Sequence, residues 1–182
     1  MASTKPLISM VQVNDLDYES FITVFGNVIE HCALAAAAVW RHRPYRDVNH
    51  LHDYITTFAK ALPLEGQEGI LRLHPDLAGH LADAGQLTSE STNEQRTAGL
   101  DSITADEKQK LKSLNDKYRD KFGFPFVICA RQNKKEAILN GLEQRLQNKC
   151  ELEVKTGLEE VLKICYLRLR DIVECADIDS KL

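Results

Sequence analysis

From Asp47 onward the apolar residues recur three and four positions apart. Leu51, Tyr54, Ile55, Phe58, Ala59 and Leu62 share one helical face, and Asp47 is placed to cap the first turn. Pro63 stops that helix and stands near the start of a short one over Leu64–Leu73. Thr104-x-x-Glu107 reads as a capping box that opens a charged helix ending at Gly123. Further helices are expected over Lys134–Asn148 and Thr156–Ala176, and the run Ala35–Ala38 favours helix and close packing. Strand signals are nearly absent. The one β-like stretch, Phe124–Cys129, has no partner segment, and Pro125 would spoil a central strand. It is expected as an extended segment threaded between helices, at least partly buried, whose backbone N–H and C=O groups need partners; a ligand could be one of them. The region His74–Thr88, with Pro75, Gly79 and Gly85, breaks the helical pattern as a helix end, a turn and a loop. No repeat and no linker divides the chain. The expectation is an all-α fold, a single-domain helical bundle over residues 1–182 with one buried extended segment, residues 1–12 disordered and residues 177–182 a tail.

Composition narrows the function classes. The 182 residues carry 23 Lys+Arg against 27 Asp+Glu, a net charge of -4, with 43% hydrophobic residues. That balance suits a folded chain rather than a disordered one. Without a basic stripe there is no electrostatic reason to expect a nucleic-acid partner. The longest apolar run, Cys32–Trp40, is about half of a membrane span, so no membrane partner is expected. The five cysteines include no C-x-x-C pair, and on a helix His50 and His52 point to different faces. Neither a disulfide framework nor a metal site is implied. The terminal Ser180-Lys181-Leu182 is the tripeptide read by peroxisomal import receptors, so that receptor is an expected partner and the peroxisome the expected location.

Three places could carry chemistry. His74 precedes Pro75 and is pushed out of the α region, so it belongs at a helix end. There it either serves as a proton carrier near neutral pH or caps the last carbonyls of its own helix. Ser91-x-x-Glu94 is a valid capping box, or else a helix N-terminus that receives an anionic ligand with Glu94 close by. On the last helix Leu158, Val161, Leu162, Cys165, Leu169, Ile172, Val173 and Ala176 form an apolar stripe. Arg168 falls at its edge, about 20° from Val161, whereas Arg170 falls on the polar face. Arg168 is then either a snorkelling side chain or a fork for a carboxylate.

Taken in order, these segments resemble the OHCU decarboxylases, which act on 2-oxo-4-hydroxy-4-carboxy-5-ureidoimidazoline in the last of three steps from urate to (S)-allantoin. The residues that carry the resemblance are His74-Pro75-Asp76-Leu77-Ala78-Gly79 and Ser91-x-x-Glu94-Gln95-x-x-Ala98-Gly99-Leu100-Asp101. They continue with Asn115-x-x-Tyr118-x-x-x-Phe122-Gly123-Phe124-Pro125-Phe126-Val127-Ile128 and the helix carrying Lys163-Ile164 and Arg168-Leu169. The match runs from about Phe21 to Val173. It implies an all-helical homodimer that uses no cofactor and no metal and acts on a small molecule. It implies catalytic roles for His74 and Glu94. It also implies ligand contacts at Pro75, at Ser91, Thr92, Asn93, Glu94 and Gln95, and at Phe126, Val127, Ile128, Cys129 and Ala130. The substrate carboxylate would meet Arg168. Vertebrate members are similar in ending with a peroxisomal tripeptide.

If the resemblance holds, the substrate must act as its own electron sink, with His74 as general acid, Glu94 holding a hydroxyl or ring N–H, and Arg168 placing the carboxylate. The rival expectations are a non-catalytic helical module that binds a ligand or peptide, and a cofactor-free hydrolase or lyase acting on another ureido compound.

Overall fold

The structure, a computed structural model, describes residues 6–174. Ten α-helices are described: α1 (Met10–Asp15), α2 (Tyr18–Phe25), α3 (Ala33–Val39), α4 (Val48–Ala61), α5 (Leu64–Arg72), α6 (His80–Asp83), α7 (Ser89–Thr97), α8 (Ala105–Phe122), α9 (Lys135–Arg145) and α10 (Cys150–Arg170). Among the described residues no strand forms beyond one parallel bridge between Ile8 and Val173. The all-α expectation is met. The import tripeptide lies outside the described residues.

The contacts gather into two compact units, Met1–Leu62 with Leu162–Leu182, and Pro63–Val161. The chain passes between them after Leu62 and within α10. In the first unit α3 packs against both α2 and α4, where Ala35 and Ala36 are fully buried and allow close approach. Phe21, Phe25, Ile29, Leu51, Ile55 and Leu169 fill its core. Asp47 caps α4 as expected, its carboxylate accepting the His50 N–H at 2.8 Å. Residues 7–12 depart from the expected disorder: Ser9 and Gln12 form a capping box at α1, and Ile8 exchanges backbone hydrogen bonds with Ile172 and Glu174, both 2.9 Å. α10 ends at Arg170 and the chain runs from there into the bridge with Ile8; the last two residues of the expected helix, 175 and 176, lie outside the described residues.

The second unit is built on aromatic packing. Tyr118 meets Phe122, Phe124 and Phe126 with ring centroids 4.6, 6.1 and 5.3 Å away. The capping box at Thr104 and Glu107 forms, and α8 ends at Gly123 with φ 75°, a left-handed turn that glycine adopts without strain. That turn releases the chain into the extended segment Phe124–Cys129, buried except for a half-buried Ile128. α9 packs beside α8 and covers the segment's flank.

Candidate functional site

His74 follows directly on the C-cap of α5, where Pro75 forbids another helical residue. Its side chain is buried, and Nδ1 lies 3.0 Å from the Ile70 carbonyl oxygen. A carbonyl only accepts, so Nδ1 carries the hydrogen. Both readings of this histidine are therefore compatible: Nδ1 caps the helix, and Nε2 becomes the nitrogen that gains or loses a proton.

The loop after His74 is tied from two helices. The Gln95 side-chain oxygen accepts the Ala78 N–H at 2.8 Å, and Asn115 Nδ2 donates to the Leu77 carbonyl at 3.1 Å. Arg119 Nε lies 2.9 Å from each carboxylate oxygen of Asp76. Pro75 is half-buried.

α7 begins three residues earlier than the Ser91-x-x-Glu94 box requires. Thr88 is its N-cap and accepts the Ser91 N–H at 3.2 Å. This corrects both readings of that motif, because Glu94 sits in the second turn rather than at the helix N-terminus. The register also divides the block. Ser91, Glu94 and Gln95 are buried on one face, together with Ala98. Thr92 and Asn93 are exposed: the Thr92 hydroxyl donates to the Thr88 carbonyl at 2.9 Å, and Asn93 bonds to Arg96 and Thr97. A helix that buries serine, glutamate and glutamine in place of apolar side chains gains little from packing, which points to a polar task for that face.

α7 also packs on the short 3-10 turn Ala130–Gln132 that ends the extended segment. Side chains hold that segment's backbone. Arg145 donates to the Val127 carbonyl at 2.8 Å and lies over the Phe126 ring at 4.5 Å. The Glu160 carboxylate accepts the Cys129 N–H at 2.8 Å, and Asn133 Nδ2 donates to the Cys129 carbonyl at 2.9 Å. Arg145 is itself fixed by Glu153, a fully buried carboxylate 2.5 Å from Arg145 Nη2, which also receives Tyr118 and Asn148. Burial first, then the Glu153 carboxylate, pushes the Tyr118 phenol well above its ordinary range.

The second unit thus brings together the His74 loop, the buried face of α7 and the end of the extended segment. Arg168 belongs to the first unit. It is buried while Arg170 is exposed, as the helical phase predicted. Its Nη1 lies 2.6 Å from the buried Glu30 carboxylate and donates to the Asn27 carbonyl at 2.9 Å. It is neither snorkelling nor isolated. Among the described residues no group of three or more His, Cys, Asp or Glu could hold a metal, and no helix is long and apolar enough to cross a membrane.

Sequence reasoning missed Asn115, Arg119, Arg145, Glu153 and Glu160 as supports of the site. Two of them were detectable. Asn115 interrupts the apolar phase Leu111, Leu114, Tyr118, Phe122, and Glu153 stands in phase with Gly157, Val161 and Ile164.

The OHCU decarboxylase family profile matches residues 14–170. A 2-oxo-4-hydroxy-4-carboxy-5-ureidoimidazoline decarboxylase of Amia calva is 49% identical over 175 residues, covering 96% of this chain and all of that one. The protein of the same name from Xenopus laevis is 47% identical over 93% of this chain and 97% of its own. A crystal structure of an (S)-allantoin synthase superposes with a TM-score of 0.72 at 24% identity, covering 91% of this chain and 54% of that one. A crystal structure of an OHCU decarboxylase in the presence of (S)-allantoin gives a TM-score of 0.62 at 22% identity, covering 75% and 88%. The two structures share the fold; the near full-length sequence matches carry the relationship, and the chain belongs to the OHCU decarboxylase family.

Proposed function

We propose that the chain decarboxylates 2-oxo-4-hydroxy-4-carboxy-5-ureidoimidazoline to (S)-allantoin without a cofactor. The observation that carries this reading is the buried polar face Ser91, Glu94 and Gln95, joined through Gln95 and Ala78 to the loop that begins at His74. The near full-length relatives of that name support it. In the reaction the carbon–carbon bond to the carboxylate breaks and CO2 leaves. The electron pair stays on the ring carbon, delocalised into the ring carbonyl and nitrogens, until one proton closes the sequence. The Nδ1–H bond to Ile70 leaves His74 to deliver that proton from Nε2 in its protonated form. General acid catalysis of this kind contributes roughly 3–5 kcal/mol of barrier. Glu94 holds a hydroxyl or ring N–H and sets which face meets the imidazole.

Pro75, the buried face of α7 and the segment Phe126 through Ala130, whose Val127 carbonyl and Cys129 amide are already held by Arg145 and Glu160, form the rest of the proposed binding set. Thr92 and Asn93 are left out of the proposed set, since their side chains face away from Glu94 and their main-chain groups lie within α7. Arg168 is proposed to contact the substrate carboxylate. Because Glu30 balances its charge, it would act by placement more than by grip, which avoids over-stabilising the ground state. We further propose a homodimer, tested by light scattering, and peroxisomal import through Ser180-Lys181-Leu182, tested by deleting the tripeptide.

The test is CO2 release from freshly generated substrate, with the handedness of the allantoin followed by circular dichroism. His74→Ala should lose roughly 10²–10⁴-fold in kcat, and Glu94→Gln should lose rate strongly while remaining folded. Normal turnover of one enantiomer by His74→Ala would remove His74 from the acid role. Release of ammonia without CO2 would favour a ureido hydrolase instead. Loss of activity on dialysis against a chelator would refute the cofactor-free reading.

A further inference from the structure

The loop between His74 and α6 is held in a conformation that its own sequence does not favour. Ala78 has φ 46°, in the left-handed region that a residue with a Cβ rarely adopts. Gly79 follows so closely on Asp76 that a Cβ there would lie 2.7 Å from the Asp76 Cβ. A strained turn persists only when its surroundings over-determine it.

The surroundings that do so come largely from one turn of α8. Asn115 and Arg119 are four residues apart and so share a face. Asn115 takes the Leu77 carbonyl through Nδ2, and Arg119 takes both oxygens of Asp76 through Nε. Asn115 is also costly to keep. It is only 5% exposed, and its Oδ1 is buried without a hydrogen-bond partner. Its orientation is set by the Leu77 carbonyl, since turning the amide over would face two acceptors together. An apolar residue of the same size would remove this orphan but leave the Leu77 carbonyl unbonded, so what Asn115 supplies, beyond the packing given by Leu111 and Leu114 on the same helix, is a bond to the loop.

We infer that Asn115 and Arg119 are positioning residues of the decarboxylase reaction, a two-point clamp from α8 that holds the His74–Gly79 loop and thereby sets where the His74 imidazole stands. Neither needs to touch substrate. The inference rests on the function proposed above and adds to it the residues that place the acid.

Its test is steady-state CO2 release by Asn115→Leu and Arg119→Met, each checked for folding by circular dichroism and thermal unfolding. In Asn115→Leu one buried orphan, Oδ1, is exchanged for another, the Leu77 carbonyl. The melting temperature should therefore move by less than about 4 °C. kcat should fall about tenfold or more while KM stays within about twofold, because a displaced acid slows chemistry without weakening binding. Arg119→Met, on the surface, should stay folded whatever Asn115→Leu does, and should lower kcat several-fold. Arg119→Lys, which keeps the charge opposite Asp76, should recover part of that loss. Wild-type kcat in Arg119→Met and in a folded Asn115→Leu would overturn the inference, as would a rise in KM at unchanged kcat. If the unaltered chain itself releases no CO2 above the spontaneous rate, the function proposal fails and this inference with it.

Discussion

The Glu153 network makes a strong claim about stability. Glu153 is fully buried, and its two oxygens receive Tyr118, Arg145 and Asn148, the last at 2.7 Å. Replacing it by glutamine keeps the shape and removes the charge. Arg145, whose side chain is 13% exposed, then lacks its counter-ion, and the glutamine NH2 confronts a donor at Asn148 or Arg145. Breaking a buried pair in this way costs about 3–5 kcal/mol. At about 2–4 °C per kcal/mol for a chain of this length, the melting temperature should fall by roughly 6–20 °C. The assay is thermal unfolding by circular dichroism, read beside calorimetric binding of allantoin, since Arg145 also holds the Val127 carbonyl. A double variant, Glu153→Leu with Arg145→Met, removes both charges and should recover most of the stability but not the allantoin affinity. A loss below about 1 kcal/mol in Glu153→Gln, or a double variant no more stable than the single, would refute the reasoning.

Other expectations follow from packing and burial. Gly157 lies on α10 against Leu71, and an added Cβ would stand 2.9 Å from Leu71 Cδ2. Gly157→Ala therefore sets a helix-propensity gain of about 1 kcal/mol against an overpacking cost of about 1–3, and a net loss of stability should appear in denaturant titration. Burial pushes the Cys165 thiol up to about 12, while Cys150 is exposed. Iodoacetamide followed by peptide mapping should label Cys150 in the native protein and Cys165 only after unfolding. Burial likewise raises the Tyr45 and Tyr118 phenols above their ordinary value. Protons stay on these groups in the folded chain after the unfolded chain has begun to lose them. Their contribution to stability is whole below about pH 10 and is lost as pH rises further. Their ionisation, followed by ultraviolet absorbance, should coincide with alkaline unfolding rather than precede it.

Much of the helical framework was legible because it rests on local signals. Asp47, the Thr104–Glu107 box and Gly123 each act within one turn of the backbone they terminate, and each sits where the pattern placed it. Part of what escaped was set by distant partners. The pairing of Ile8 with residues 172–174 is of this kind, since no short window contains both sides of that exchange, whereas α1 carried a local signal, the Ser9-x-x-Gln12 box, that was passed over. The start of α7 escaped for a different reason. Thr88 and Ser91 are both capping types, and the sequence alone does not say which of them takes the role that Thr88 holds in the structure. A shift of three residues keeps nearly the same helical face but moves Glu94 from the first turn into the second.

That shift also explains why the candidate residues were legible as a motif while their geometry was not. A contiguous block such as Ser91–Gln95 cannot present five side chains to one ligand from a helix, because successive residues turn by about 100°. The structure keeps 91, 94 and 95 inside and turns 92 and 93 outward. The same arithmetic separates Arg168 from Arg170, and there periodicity alone identified the buried member. The Arg168 partner, Glu30, lies 138 positions earlier in the chain and belongs to no helical phase that could have announced it. Periodicity reports which side chains face inward. Which of those carry charge or amide groups without an obvious packing gain — Glu94, Gln95, Asn115, Glu153, Arg168 — is the more informative reading, because each must be matched by a partner that the fold was built to supply.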